Sequence, residues 1–333
     1  MATYQDIKGL RVKYLSADPS PTTQGEVWYN STSGTLKATV IGTASWGSGG
    51  SLSNPFHGGN SSFGSTPAGA HVGGTIPTGY ISGKTELYDG TAWTANPNLC
   101  PVSIGYGTGG GPQTAGIICS GESPPGSGTA TIKFDGSAWT SAPSRSTSRQ
   151  NATGIGTQTS FIQVGGAWSP SWTALTVNET FNGASWSTEP NSYPATNEQG
   201  FAGGTAAAAV IGGGIPPTPL GAPASNTWDG SAWTAAPVML SARYNGAWAG
   251  TSTDAFQIGG YNSPSGGFTD TTVFDGTTWA ATASTATGTS GGSGAGFTGG
   301  PGGVIKMGGS YGTATTCEEF NAAAAETQTL TTS

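Results

Sequence analysis

Two histidines, three cysteines and a thin scatter of carboxylates are the residues with which this 333-residue chain could do chemistry. A redox copper is held by imidazoles, and His57 and His71 offer two with no third. Cys100, Cys119 and Cys317 are odd in number and widely spaced. That fits neither a disulfide framework nor a zinc signature and predicts buried, small apolar side chains. Glycoside hydrolysis needs two facing carboxylates, and Glu122, Glu189 and Asp254 form no such constellation in the sequence. There is no G-x-S-x-G elbow, and GTGGGP at 107–112 lacks the lysine of a phosphate loop. The expectation is a chain that is not an enzyme and has no metal and no cofactor.

Recognition chemistry is better represented. Tyr80, Trp168, Trp172, Tyr261 and Tyr311 fall in stretches that differ from one another: TIPTGYISG, AWSPSWTAL, YNSPSGGF and SYGTAT. SPPGSG and GIPPTPLGAPAS occupy the corresponding places elsewhere. Aromatic rings combine large contact area with few rotors, so these five are candidates for stacking on a sugar or packing against a protein. Variable loops serve that purpose when a rigid scaffold positions them.

Composition narrows the scaffold. Charged residues are 8% of the chain where about 25% is usual, and glycine fills 58 positions. Yet 11 Trp, 10 Tyr and 11 Phe supply a core, and disordered chains are poor in such residues. The net charge of −7, with ten singly scattered Lys and Arg, argues against nucleic acid as a partner. No apolar run is long enough to span a bilayer, so membrane insertion is not expected. MATYQDIKGLRVK lacks the apolar core of a signal peptide, and the four N-glycosylation sequons would matter only in a secretory pathway.

The elements appear in a repeat. YDGTAWTANP, FDGSAWTSAP, FNGASWSTEP, WDGSAWTAAP and FDGTTWAATA place Trp93, Trp139, Trp186, Trp233 and Trp279 at steps of 46, 47, 47 and 46, with Trp46 lying 47 before the first. EEFNAAAAET keeps Phe320 and Asn321 but no Trp. A second landmark recurs in register: GAHVGG, GIICSG, FIQVGG, AAVIGGG, AFQIGG and GVIKMGG. Six units of about 47 residues result. Asp-Gly or Asn-Gly between β-rich segments is a hairpin signal, because those residues tolerate the positive φ of primed turns. Each unit therefore reads as four short strands, the pattern of an all-β propeller blade. The small-residue strand belongs innermost, where strands converge. The Trp belongs on the outermost strand, over the seam between blades. Asp89, Asp135, Asn182, Asp229, Asp275 and Asn321 are then turn formers.

Gly-Gly, then aromatic-Asp, then Trp resembles the kelch repeat from about residue 46 onward, with Arg149 and Arg243 each ten residues after a unit Trp. The resemblance implies a six-bladed kelch-like β-propeller over residues 35–333. Kelch propellers include copper oxidases, for which this chain lacks the imidazoles, and some six-bladed propellers are sialidases. The Asp-Gly-x-x-Trp pattern here departs from the sialidase Asp box, and no arginine triad accompanies it. TLKATVIGTASW, 35–46, has the phase of an outer strand without inner strands before it, whereas the sixth unit lacks its Trp. Residues 35–46 are therefore predicted to close the ring, with Trp46 supplying the missing side chain.

Residues 1–34 read as a separate N-terminal arm, with GEVWYNSTSGTLK as a small hairpin around Thr-Ser-Gly. This leader followed by glycine-rich FDGxxW repeats resembles a family of virion structural proteins of marine tailed bacteriophages, cyanophages among them. The resemblance implies a non-enzymatic particle component in the tail fibre, adsorption apparatus or capsid decoration, made in the host cytoplasm. Its expected partners are other virion proteins, copies of itself, or a host surface glycan or protein. The alternatives are a lectin-like receptor-binding propeller and, behind it, a glycan hydrolase.

Overall fold

The computed structural model describes residues 12–56, 61–75, 82–119, 121–123, 126–168, 171, 173–195, 197–215, 223–262, 267–296, 303–309 and 314–330. The chain is all-β and divides into two compact units: Trp46–Asn321, and a smaller one formed by the residues up to Ser45 with those from Ala322 onward.

In the larger unit each of the first five sequence repeats forms its own four-stranded antiparallel sheet, and the sixth supplies three strands of another. The first repeat orders Ser62–Ser65, Ala68–Val72, Thr85–Tyr88 and Trp93–Asn96 from edge to edge, and the later repeats follow the same order. One edge of every sheet is a short strand of small residues: Ser62–Ser65, Thr108–Gly110, Thr153–Thr157, Phe201–Gly204, Ala247–Thr251 and Ser293–Ala295. Each lies beside the next, and Ser293–Ala295 lies beside Ser62–Ser65, in a propeller-like arrangement of open sheets. Crowding explains the composition. A Cβ on Gly109 would sit 2.5 Å from the Ser62 carbonyl of the preceding sheet, and one on Gly203 would sit 2.6 Å from the Thr251 carbonyl of the following sheet.

The motif Trp lies on the opposite edge and pairs with the aromatic that ends the third strand: Tyr88 with Trp93, Phe134 with Trp139, Phe181 with Trp186, Trp228 with Trp233, Phe274 with Trp279. Several of these indoles reach into the preceding sheet. Trp186 Nε1 donates to Thr131 Oγ1 (2.9 Å), Trp279 Nε1 to Ser225 Oγ (3.2 Å) and Trp93 Nε1 to the Gly49 carbonyl (3.2 Å). The core accordingly sits between sheets. Phe63, Val72, Ile118, Ile132 and Phe134 form one such cluster across the first and second repeats.

The recurring turn differs in detail from a two-residue primed turn. The aromatic–Trp pairing leaves four residues in the loop, and in that loop only the glycine has positive φ, 97° at Gly90 and 100° at Gly136. The Asx side chain acts as an acceptor instead. Asp89 Oδ1 takes the amides of Thr91 and Ala92, both at 2.8 Å, and Asp135, Asn182, Asp229 and Asp275 repeat the geometry. Asn321 ends strand Thr316–Asn321, and the chain beyond it joins the smaller unit.

The closing strand is displaced from its predicted place. Ser45–Ser51, not 35–46, completes the sixth-repeat sheet beside Thr316–Asn321. Trp46 packs edge-on to Phe320 at 5.3 Å and donates to the Ala283 carbonyl of the fifth repeat at 2.9 Å. Thr35–Ile41 pairs instead with Val27–Asn30 and with Ala325–Thr329.

That pairing builds the smaller unit, a sheet in which Lys13–Leu15 also runs parallel to Val27–Asn30. Trp28 is fully buried there, and Asp18 organises it. The Asp18 carboxylate accepts from Trp28 Nε1 (3.0 Å), Asn30 Nδ2 (2.7 Å) and Lys37 Nζ (2.6 Å). Bonding to Lys37, then Asn30 and Trp28, holds the Asp18 carboxyl down at about 2.

Candidate functional site

Ahead of the innermost strands the backbone adopts a conformation that L-residues rarely take. Tyr106, Asn151, Gln199 and Asn245 have φ of 51°, 57°, 55° and 57°, and Gly291 has 72°. Asn tolerates this left-handed region, whereas Tyr and Gln do so only under constraint from their surroundings. The constraint is a chain of hydrogen bonds from repeat to repeat. The Asn151 amide donates to the Tyr106 carbonyl (3.2 Å), Gln199 to Asn151 (2.7 Å), Asn245 to Gln199 (2.8 Å) and Gly291 to Asn245 (2.7 Å). Asn60, one step earlier, lies outside the described residues.

The side chains of this arc, with Trp248, line a cavity of about 10 Å³, room for about one water. Asn151 Oδ1 is buried there without a partner. Half-buried Glu198 stands beside it, its carboxyl pushed up by burial against an opposing hydrogen bond from Asn151. No charged residue lines the cavity, and it is too small for a substrate. Most of the lining residues lie on the connections between repeats.

The strongest electrostatics hold those loops in place. Glu86, Glu179 and Glu318 each stand two residues before the aromatic of their repeat, and each is buried. Glu86 takes the amide (2.8 Å) and hydroxyl (2.6 Å) of Ser53; Glu179 takes the amide (3.0 Å) and hydroxyl (2.5 Å) of Ser146. Glu318 takes the amides of Ala286 (2.6 Å) and Thr287 (3.1 Å). Each carboxylate thus fastens the connection arriving from the preceding repeat. Two are also ion-paired, Glu179 with Arg149 and Glu318 with Lys306 at 2.9 Å. Burial, then the charge of Arg145, lowers the Arg149 guanidinium to about 10. Burial raises the Glu318 carboxyl, but its bonds to Thr287, Lys306 and Ala286 outweigh this and leave it below the usual range. Arg243 similarly meets Asp270 and lies 4.0 Å over the Phe268 ring.

These glutamates were not among the sequence candidates, although T-E-L-Y, N-E-T-F and C-E-E-F carry a signal at the repeat spacing. The carboxylates that were considered are dispersed. Glu122 lies in a two-residue strand beside Gly105, Glu189 follows the third repeat's Trp strand, and Asp254 opens a strand in the fifth repeat.

Among the recognition aromatics, Trp168 is 47% exposed and sits in a two-stranded hairpin with Thr173–Ala174. Tyr261 is half-buried and packs edge-on to Tyr244 at 5.3 Å. Tyr80, Trp172 and Tyr311 lie outside the described residues, as does His57. His71 is buried and stacked on Phe56 at 3.5 Å, and burial lowers its imidazole to about 4. The three cysteines are buried and free, their thiols pushed up by burial, to about 11 at Cys100 and about 12 at Cys119 and Cys317. Among the described residues no three His, Cys, Asp or Glu side chains gather as metal ligands. Compared with known proteins, the chain matches no protein-family model and no curated protein.

Proposed function

We propose that the chain is a non-enzymatic structural protein of a phage particle that displays a six-bladed kelch-like propeller in the adsorption apparatus or as a surface decoration. The blade count is supported by the cyclic order of six innermost strands and by the completion of the last sheet with Ser45–Ser51. The display role is carried by one observation: the buried glutamates under the loops are bonded to those loops. Such commitment rigidifies a platform and leaves specificity to the residues that differ between repeats. Other virion proteins and further copies of the chain are its expected neighbours.

Cryo-electron microscopy of the particle, with this fold sought in the density, tests the reading. Density at fibres or tail tip supports adsorption, density on the shell supports decoration, and absence from purified particles overturns the particle role. Half-exposed Trp168 favours a second reading, a lectin-like module for a host surface glycan. Binding of the protein to host glycans that is lost in Trp168→Ala, with no hydrolysis of the glycan, would select it.

A further inference from the structure

The seams between neighbouring sheets differ in what bridges them. Between the second and third repeats, Gln158 Nε2 donates to the carbonyls of Gly116 and Phe134, both at 2.8 Å. At the same seam Lys133 Nζ donates to the Gly183 carbonyl at 2.8 Å and lies 5.2 Å from the centroid of the Phe181 ring. An amide and an ammonium thus satisfy the acceptors there.

One seam along, both are replaced by short side chains. Gly156 pairs with Phe161 and Gly204 with Ala209, so Ala206 takes the turn position of Gln158. Lys133 precedes Phe134 as Thr180 precedes Phe181, so Thr180 takes the place of the lysine. Neither side chain spans the gap, which is crossed here by the Ala206 amide to the Ser160 carbonyl at 3.5 Å, and a groove of about 510 Å³ opens between the third and fourth repeats. Gly230, the counterpart of Gly183, lies in its wall, as do Asp229, Ser160, Thr180 and Glu189, whose Oε1 already accepts from the Thr180 hydroxyl. The amides of Ala232 and Ser231 bond Asp229 through Oδ1, so Oδ2 takes no part in the turn. The wall is therefore rich in acceptors, bears two carboxylates and belongs to a chain of net charge −7.

We propose that this groove binds a primary alkylammonium group, which restores from outside the contact that Lys133 makes from within one seam away. Carboxylates and carbonyls around a shallow groove recognise an ammonium through charge-assisted hydrogen bonds, and the volume admits the aliphatic chain that carries it. The group is supplied either by a free aliphatic polyamine or by a lysine side chain of a neighbouring protein.

Titrating the full chain with 1,5-diaminopentane and with Nα-acetyl-lysine methylamide, followed by amide chemical shifts, tests this. Saturable shifts at Ala206, Ala207 and Gly230 are expected. Affinity falls about tenfold in Glu189→Gln, the scale of one charge-assisted hydrogen bond. Thr180→Lys and Ala206→Gln, which rebuild the bridged seam, abolish saturation while the fold is retained. Much tighter binding of the diamine identifies a free polyamine as the source; equal binding identifies a protein lysine. Absence of saturable shifts with either amine, or binding unchanged in folded Thr180→Lys, overturns the proposal.

Discussion

At the scale of single residues, the buried Arg149–Glu179 pair is the most exacting feature, because each charge is neutralised in the core by the other, while Ser146 and the Gly165 and Val177 carbonyls supply neutral partners. Glu179→Ala leaves a guanidinium unpaired in the core and is expected to cost roughly 3–5 kcal/mol in urea unfolding at neutral pH. Replacing both partners with apolar residues of similar volume should recover most of that loss. His71 sets a pH dependence of known sign. Its folded value of about 4 lies below the ordinary 6.5, so between these values the unfolded chain takes up a proton that the folded chain refuses. Stability is full above about pH 6.5 and falls by roughly 3 kcal/mol as the pH drops to 4, a loss His71→Leu should remove. The Trp positions and the Asx turns were legible in the sequence because identity and spacing repeat together. The fastening glutamates were harder to see. Their counterparts in other repeats are Ile132, Asn226 and Thr272, and nothing local marks which loop will pass over them.

At the scale of the element, strand order within the sheets of the first five repeats followed from the period, since the four main strands of each pair in chain order. The closing strand was the exception. Its residues and its partner Thr316–Asn321 are remote in the chain, so no local pattern marks the pairing. The break falls at Gly42, where a Cβ would lie 2.5 Å from Glu326 Oε1, so the chain divides there between two pairings. A permutant starting at Leu52, with Ser45–Ser51 fused through a short linker after Asn321, is expected to unfold cooperatively in a single transition. The same chain without Ser45–Ser51 leaves Thr316–Asn321 as an exposed edge and should aggregate, as light scattering would show. Failure of the permutant to fold would mean that the smaller unit is needed for closure.

At the scale of the whole molecule, the hydrogen-bonded arc through Tyr106, Asn151, Gln199, Asn245 and Gly291 ties one repeat to the next. Its members share a backbone angle but, apart from Asn151 and Asn245, no residue type, so the sequence repeat gave no notice of it. The amides of Asn151, Gln199, Asn245 and Gly291 should be among the last to exchange with deuterium, opening only with global unfolding. Exchange as fast as that of the peripheral turns would show the repeats opening one by one. The closing strand has a further consequence for how the molecule comes to exist. Ser45–Ser51 leaves the ribosome early, and its partner Thr316–Asn321 is made some 270 residues later. At about 5–20 residues per second that interval is on the order of 15–50 s. Through all of it the nascent chain carries an unfinished end and a strand without a mate. Crowded ribosomes on one message then bring many such strands close together, and exchange of Ser45–Ser51 between sister chains competes with completion of the sixth-repeat sheet within each chain.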